Sequence, residues 1–343
     1  MITAQDGGIA VSVTACNGRS YTIFGKEIWH SSAIRLYMSR IQEAFKNGKA
    51  FIPFITAGYP DLDTSCQIIK AAADNGADLI EIGIPFSDPT AEGPVIQTAN
   101  VRALQAGVTT DKVFELVRKL REEITIPMVF MTYANVVYSY HSAQEAGVAS
   151  AAGAAEKTAG GAAFQTGTAV GKAGADLNAA NPAEDDTAGI ERFCRRCAEV
   201  GIDGLILPDV PFEEHSEFSD VCEKYDLDLV PLIAPTSDDR IQMIAKAAKG
   251  FIYVVSSLGV TGVRTDITTD IAAITDRIRE VTDVPCAVGF GISKPEQARK
   301  MAAQSDGAIV GSAIIRLIGQ YGKDAAPEVG RYVREMKAAV REA

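Results

Sequence analysis

From Phe51 onward, apolar runs of five to seven residues alternate with stretches whose apolar residues recur at helical period. That rhythm is the mark of parallel strands buried on both faces beneath covering helices. Eight runs predict strands: FIPFITA from Phe51, DLIEIGI from Asp78, PMVFMTY from Pro127, GLILPDV from Gly204, DLVPLIA from Asp228, FIYVVSS from Phe251, PCAVGFG from Pro285 and GAIVGSA from Gly307. The intervening helices include LDTSCQIIKAAADNG, TDKVFELVRKLREEI, IERFCRRCAEVG, DDRIQMIAKAAKG and KPEQARKMAAQ. Eight such units predict an α/β protein folded as a closed (β/α)8 TIM barrel, not an open doubly wound sheet.

Two segments break the rhythm. Residues 1–34 show no clear period and read as an N-terminal extension, with the barrel spanning 35–343. Residues 141–188, about half Ala or Gly, offer few large side chains to bury against the entropy of ordering, and read as a low-complexity insert after strand three. Without both, roughly 260 residues remain, close to the ~250 of a typical barrel. In a barrel, loops that follow strands build the functional face, so the insert falls on that side; loop closure cost grows slowly with length, and we read it as a tolerated surface excursion.

Composition narrows the function classes. The 343 residues carry 33 Lys plus Arg against 44 Asp plus Glu, a formal charge of −11 with no basic patch, which disfavours nucleic acid and membrane surfaces. No window is apolar enough to span a membrane and no signal-like start is present, so the chain reads as cytoplasmic. The six cysteines are scattered, as suits a reducing compartment, and the C-x-x-C of Cys194 and Cys197 reads as two thiols on an amphipathic helix.

Strand two holds the first candidate chemistry. Alternation turns Ile80, Ile82 and Ile84 toward the helices and Leu79, Glu81 and Gly83 into the barrel. An unpaired carboxylate in an apolar interior is costly when ionised, so Glu81 is expected to hold its proton near neutral pH and serve as a general acid. Asp88 and Glu92 follow in FSDPTAEGPVIQ, and two carboxylates in unlike surroundings can divide acid and base duties, although a helix start also favours acidic residues. The loops SSLGVTGVRT, GFGISKPEQ and AIVGSAII combine glycines with helix starts and suit a phosphate, while Ser293 and Glu296 have the spacing of a capping box. His30, His141 and His215 form no cluster for a metal, and no lysine ends a strand to act as a Schiff-base nucleophile.

From about Ile41 onward, the insert excepted, these motifs resemble the tryptophan synthase alpha subunit family: FIPFITAGYPD, DLIEIGIPFSDPTAEGPVIQ, MTYANVV, GLILPDVP, VSSLGVTGVR, GFGISKPEQ and VGSAI. The resemblance implies retro-aldol cleavage of indole-3-glycerol phosphate to indole and glyceraldehyde 3-phosphate. No cofactor is implied in this chain; pyridoxal phosphate is expected in a beta-subunit partner, within an alpha2-beta2 complex. It further implies that Glu81 protonates the indole ring carbon and that Glu92 accepts the indole N–H. Phe54, Tyr133, Ile206, Tyr253 and Phe290 then contact the substrate, and Gly262, Gly291, Gly311 and Ser312 grip its phosphate. Thr261 closes over the site, and Asp88 with Pro89 faces the partner. The chain departs from the family pattern in Glu92, where aspartate is usual, in Ser257, where many members carry arginine, and in the insert. A subunit that chiefly activates the beta partner, or a sugar-phosphate isomerase on the same barrel, are the alternative readings.

Overall fold

The computed structural model describes residues 39–141, 187–256, 270–289 and 291–343, together with the backbone of three N-terminal strands. Those strands, β1 (Ile2–Gln5), β2 (Gly8–Thr14) and β3 (Ser20–Phe24), pair antiparallel in the order β1-β2-β3. The extension therefore contains regular structure where its sequence showed no clear period. Residues 142–186, most of the Ala/Gly-rich insert, lie outside the described residues.

The remaining strands are β4 (Ala50–Thr56), β5 (Ile80–Gly83), β6 (Met128–Met131), β7 (Gly204–Ile206), β8 (Asp228–Leu229), β9 (Leu232–Ile233), β10 (Ile252–Val255), β11 (Cys286–Gly289) and β12 (Gly307–Val310). All pair parallel, in the order β8-β7-β6-β5-β4-β12-β11-β10-β9. The two ends of that order are consecutive pieces of one stretch, the predicted DLVPLIA. Its first half pairs Asp228 with Gly204, and its second pairs Leu232 with Tyr253. The ladder changes neighbour around Pro231, which has no N–H to donate but whose carbonyl accepts from Tyr253 N at 3.0 Å. Counted through that join the strands number eight, and the sheet curls into the barrel.

Helices cover it outside: α1 (Arg40–Glu43), α2 (Leu62–Asp74), α3 (Pro94–Gln105), α4 (Thr110–Leu120), α5 (Ala134–Tyr138), α6 (Thr187–Val200), α7 (His215–Lys224), α8 (Asp238–Ala247), α9 (Ile271–Arg279), α10 (Pro295–Ala302), α11 (Ser312–Tyr321) and α12 (Ala325–Arg341). Each of the long helices buries a stripe, such as Val113, Phe114, Leu116, Val117 and Leu120 of α4. Starts follow local chemistry: Asp61 accepts from Thr64 N at 2.8 Å to cap α2, and Asp270 accepts from Ala273 N at 3.0 Å to cap α9. At α10 the box sits one residue later than the Ser293–Glu296 spacing predicts, because Gln297 Oε1 reaches back to the N–H groups of Ser293 and Lys294. Cys194 and Cys197 lie on the buried face of α6, with Cys194 Sγ 3.8 Å from Cys222 Sγ. Among the described residues, no helix is long and apolar enough to cross a membrane.

A repeated device closes the N-terminal rim. Asp78, Asp203 and Asp306 each stand just before a strand and accept the N–H that begins the preceding strand's ladder, from Phe51 at 2.7 Å, Met128 at 2.8 Å and Cys286 at 2.8 Å. Lys337, Arg121 and Arg279, respectively, neutralise them. Stabilising charges are thus gathered at one rim, which leaves the other free for chemistry.

Candidate active site

On β5 the predicted alternation holds. Phe54 registers with Glu81, and Gly83 with Met131, so these four side chains or Cα atoms face the barrel axis. Phe54, Glu81, Ile96, Met131, Tyr253, Gly291, Ile292, Ile309, Gly311 and Ser312 line a cavity of about 30 Å³ at its functional end. Met131 and Tyr253 also wall a larger apolar chamber of about 320 Å³, together with Ala91, Leu207, Pro208 and residues of the segment 229–234. The site is thus a small, largely apolar cavity holding one carboxyl, with Met131 and Tyr253 standing between it and an apolar side chamber.

Glu81 is 1% exposed, and among the described residues its Oε2 has no hydrogen-bond partner. Burial, and secondarily the nearby Glu92 carboxylate, push its pKa up to about 8, so it carries a proton at neutral pH. What sets Glu81 apart from the other unpartnered oxygens among the described residues, those of Thr56, Thr132 and Asp228, is that it lines the cavity, where a ligand could meet it.

Glu92 is set by a different local logic. Gly93 and Pro94 begin α3 as N-cap and first helical residue, which places Glu92 immediately before the helix. Its carbonyl accepts from Gln97 Nε2 at 2.7 Å, and its Oε2 accepts from Asn100 Nδ2 at 2.5 Å. The Tyr133 hydroxyl donates to the same carboxylate and accepts from Ala91 N at 3.2 Å. Phe86 stacks on Tyr133 with ring centroids 5.1 Å apart. Burial pushes the Glu92 pKa up to about 7, against the opposing pull of Asn100 and Tyr133. Burial chiefly, and then the neighbouring Glu92 charge, raise the Tyr133 phenol, which keeps it a donor.

The anion end is built from backbone. Gly311 is the N-cap of α11, and Ser312 begins it, so the free N–H groups of that helix start at the cavity wall. Gly291 turns with φ of 79°, a conformation open to glycine. A Cβ at Gly311 would meet the Phe54 ring at 3.2 Å.

Of the residues predicted from sequence, Phe54, Glu81, Tyr253, Gly291, Gly311 and Ser312 share the cavity, with Glu92 and Tyr133 beside it. Ile206 registers with Met131 but lines neither space, its successors Leu207 and Pro208 taking the chamber wall. Asp88 is exposed, while Pro89 is buried and accepts from Glu92 N at 3.4 Å. Ser257, Thr261, Gly262 and Phe290 lie outside the described residues. Met131 and Asn100 were missed. The same alternation that selects Glu81 selects Met131, and Asn100 is the polar member of an otherwise apolar buried stripe with Ile96, Ala99 and Ala103. Among the described residues, no three His, Cys, Asp or Glu side chains converge in a way that could hold a metal ion.

The family model for the tryptophan synthase alpha chain matches residues 41–156 and 180–341. The chain belongs to the tryptophan synthase alpha chain family. The match leaves residues 1–40, 157–179 and 342–343 outside. Tryptophan synthase alpha chains of Lacticaseibacillus casei and Lactiplantibacillus plantarum are 39% and 42% identical, over 89% and 88% of this chain and 97% of each relative. The barrel superposes on tryptophan synthase from Mycobacterium tuberculosis with a TM-score of 0.69 at 27% identity, covering 89% of this chain and 99% of that one. The alpha subunit from Legionella pneumophila superposes with a TM-score of 0.67 at 28% identity, covering 89% and 100%. The cavity described above is therefore the interior of a tryptophan synthase alpha barrel.

Proposed function

We propose that this protein cleaves indole-3-glycerol phosphate to indole and glyceraldehyde 3-phosphate, a carbon–carbon lyase step of tryptophan biosynthesis, as the alpha subunit of tryptophan synthase. The observation that carries the reading is Glu81: a carboxyl sealed in the barrel, with pKa raised to about 8 and one oxygen unpartnered among the described residues.

In this reading Glu81 gives its proton to the indole carbon that bears the glycerol chain, which makes the ring an electron sink. Glu92, held by Asn100 and Tyr133, accepts the indole N–H and favours the indolenine form. The Glu81 carboxylate so formed takes the proton of the adjacent glycerol hydroxyl as its C–O becomes a carbonyl. The carbon–carbon bond then breaks, and its electron pair returns to the ring, restoring aromatic indole. Phe54, Ile96, Met131 and Tyr253 supply apolar walls, and the α11 start with Gly291, Gly311 and Ser312 suits the phosphate. Thr261, Gly262 and Phe290 complete substrate contact, and Asp88 with Pro89 contributes to a beta-subunit interface in an alpha2-beta2 complex. Pyridoxal phosphate belongs to that beta partner, where it supports joining of indole to serine, and the complex works in the cytoplasm.

The test is indole release from indole-3-glycerol phosphate, first by this chain alone and then with a beta subunit. Release that increases with the partner supports the reading. Stimulation of the beta reaction without any release replaces it with a purely activating subunit.

A further inference from the structure

Glu92 has one methylene more than the aspartate usual at this place in the family, and an additional rotatable bond that could carry its oxygens away from a ligand. Its neighbourhood answers that freedom. Asn100, 2% exposed on the second turn of α3, aims its amide N–H back at Glu92 Oε2 across 2.5 Å, while Gln97 on the same helix ties down the Glu92 carbonyl. A buried asparagine amide is costly unless its hydrogen bonds are made, and Glu92 is the acceptor that Nδ2 finds.

We infer that Asn100 is a positioning residue: its amide draws the longer Glu92 carboxylate back against α3, so that the remaining lone pairs stay aimed at the substrate's N–H. The inference rests on the reading of Glu92 given above. A neutral donor suits the task. A lysine or arginine here would pin the carboxylate fully ionised and compete with the substrate, whereas an amide fixes direction while leaving the charge to be balanced by the surroundings. Those surroundings are the burial of the carboxylate, which opposes ionisation, and the Tyr133 hydroxyl after β6, which supports it; Glu81 on β5 is near enough for the Glu92 charge to raise its own pKa. Asp209, after β7, acts on Tyr133 rather than on Glu92 directly. Asn100 and Gln97, from α3, carry no charge.

Two variants test this in the whole chain. Asn100→Leu keeps the volume and removes the donor; Asn100→Asp keeps the shape and donates only while its own carboxyl is protonated. The primary readout is the titration of Glu92, followed by 13C NMR of protein labelled at the glutamate carboxyl carbons. Asn100→Leu is expected to move Glu92 to higher pH and to lower kcat by about ten- to a hundredfold, with affinity for glycerol 3-phosphate unchanged. Asn100→Asp is expected to move the Glu92 titration to higher pH as well, because the introduced carboxyl repels the Glu92 charge once it ionises, and to lower kcat across the bell. A Glu92 titration unmoved in the variants overturns the inference, whatever happens to rate. If Asn100→Leu does not fold, the Asp variant decides by the same titration. Failure of the unmodified chain to release indole would sink the proposed reaction, yet the NMR titration would still judge the role of Asn100.

Discussion

Phe54 lies across Gly83. A Cβ built on Gly83 would stand 2.6 Å from Phe54 Cζ and 2.7 Å from Cε2, far inside van der Waals contact. Gly83 is thus required by the ring of the neighbouring strand rather than by its own backbone, and it lets Phe54 take its place on the cavity wall with Glu81. Gly83→Ala is expected to cost about 1–3 kcal/mol in urea unfolding by overpacking, and to lower kcat/KM at least about tenfold by pushing Phe54 into the substrate space. Phe54→Leu in the same chain should return part of both losses; strictly additive effects in the double-mutant cycle would show that the contact does not matter.

Glu81→Gln removes the proton that the reaction uses while keeping shape and burial. Indole release should fall by about 10²–10⁴-fold, and glycerol 3-phosphate should bind as before. Turnover close to that of the unmodified chain would assign the acid to another group.

The same carboxyl links pH to stability. Its folded pKa is raised from 4.5 to about 8, so between those values the folded chain holds a proton that the unfolded chain has released. Stability therefore falls as pH climbs through that window and levels off above it, by an amount on the order of a few kcal/mol. Glu92, raised from 4.5 to about 7, adds a slope of the same sign over a narrower range. Denaturant unfolding at a series of pH values should show the decline, and Glu81→Gln should flatten it to the share due to Glu92.

Activity should trace a narrow bell. The productive state has Glu81 protonated and Glu92 ionised, and the pair titrates with apparent values near 7 and 8, so kcat/KM is expected to peak between them. Glu92→Gln should abolish the acid limb; a limb that persists in that variant would belong to some other group.

Lys337 offers a control at the opposite rim. Its Nζ donates to Asp78 Oδ2 at 2.6 Å and to the Lys49 carbonyl at 2.9 Å. Lys337→Met is expected to lower unfolding free energy by about 2–3 kcal/mol, because Asp78 is left poorly paired, with turnover at 25 °C unchanged. A matching loss of kcat would mean that the two rims are not independent.

The eight barrel strands could be read from sequence because both of their faces are buried, which writes an unbroken apolar run. DLVPLIA is one such run, yet Pro231 divides its pairing between two neighbours, a matter of ladder geometry that hydropathy does not encode. The N-terminal strands escaped because their alternation, Ile9, Val11 and Val13 and then Tyr21 and Ile23, is short and stands outside the strand–helix rhythm that marks the barrel. Glu81 stood out as a charge amid isoleucines. Asn100 did not, since its meaning comes from Glu92, eight residues earlier and met only once α3 turns its inner face to the loop.

The join at Pro231 has an outcome for assembly. With β8 and β9 taken as one stretch, each barrel strand has two neighbours, so among the described residues the cylinder leaves at most the two-residue halves beside Pro231 for a foreign strand to pair with. Any association made by the barrel must be written in side chains of loops and helices, and is therefore tunable one substitution at a time.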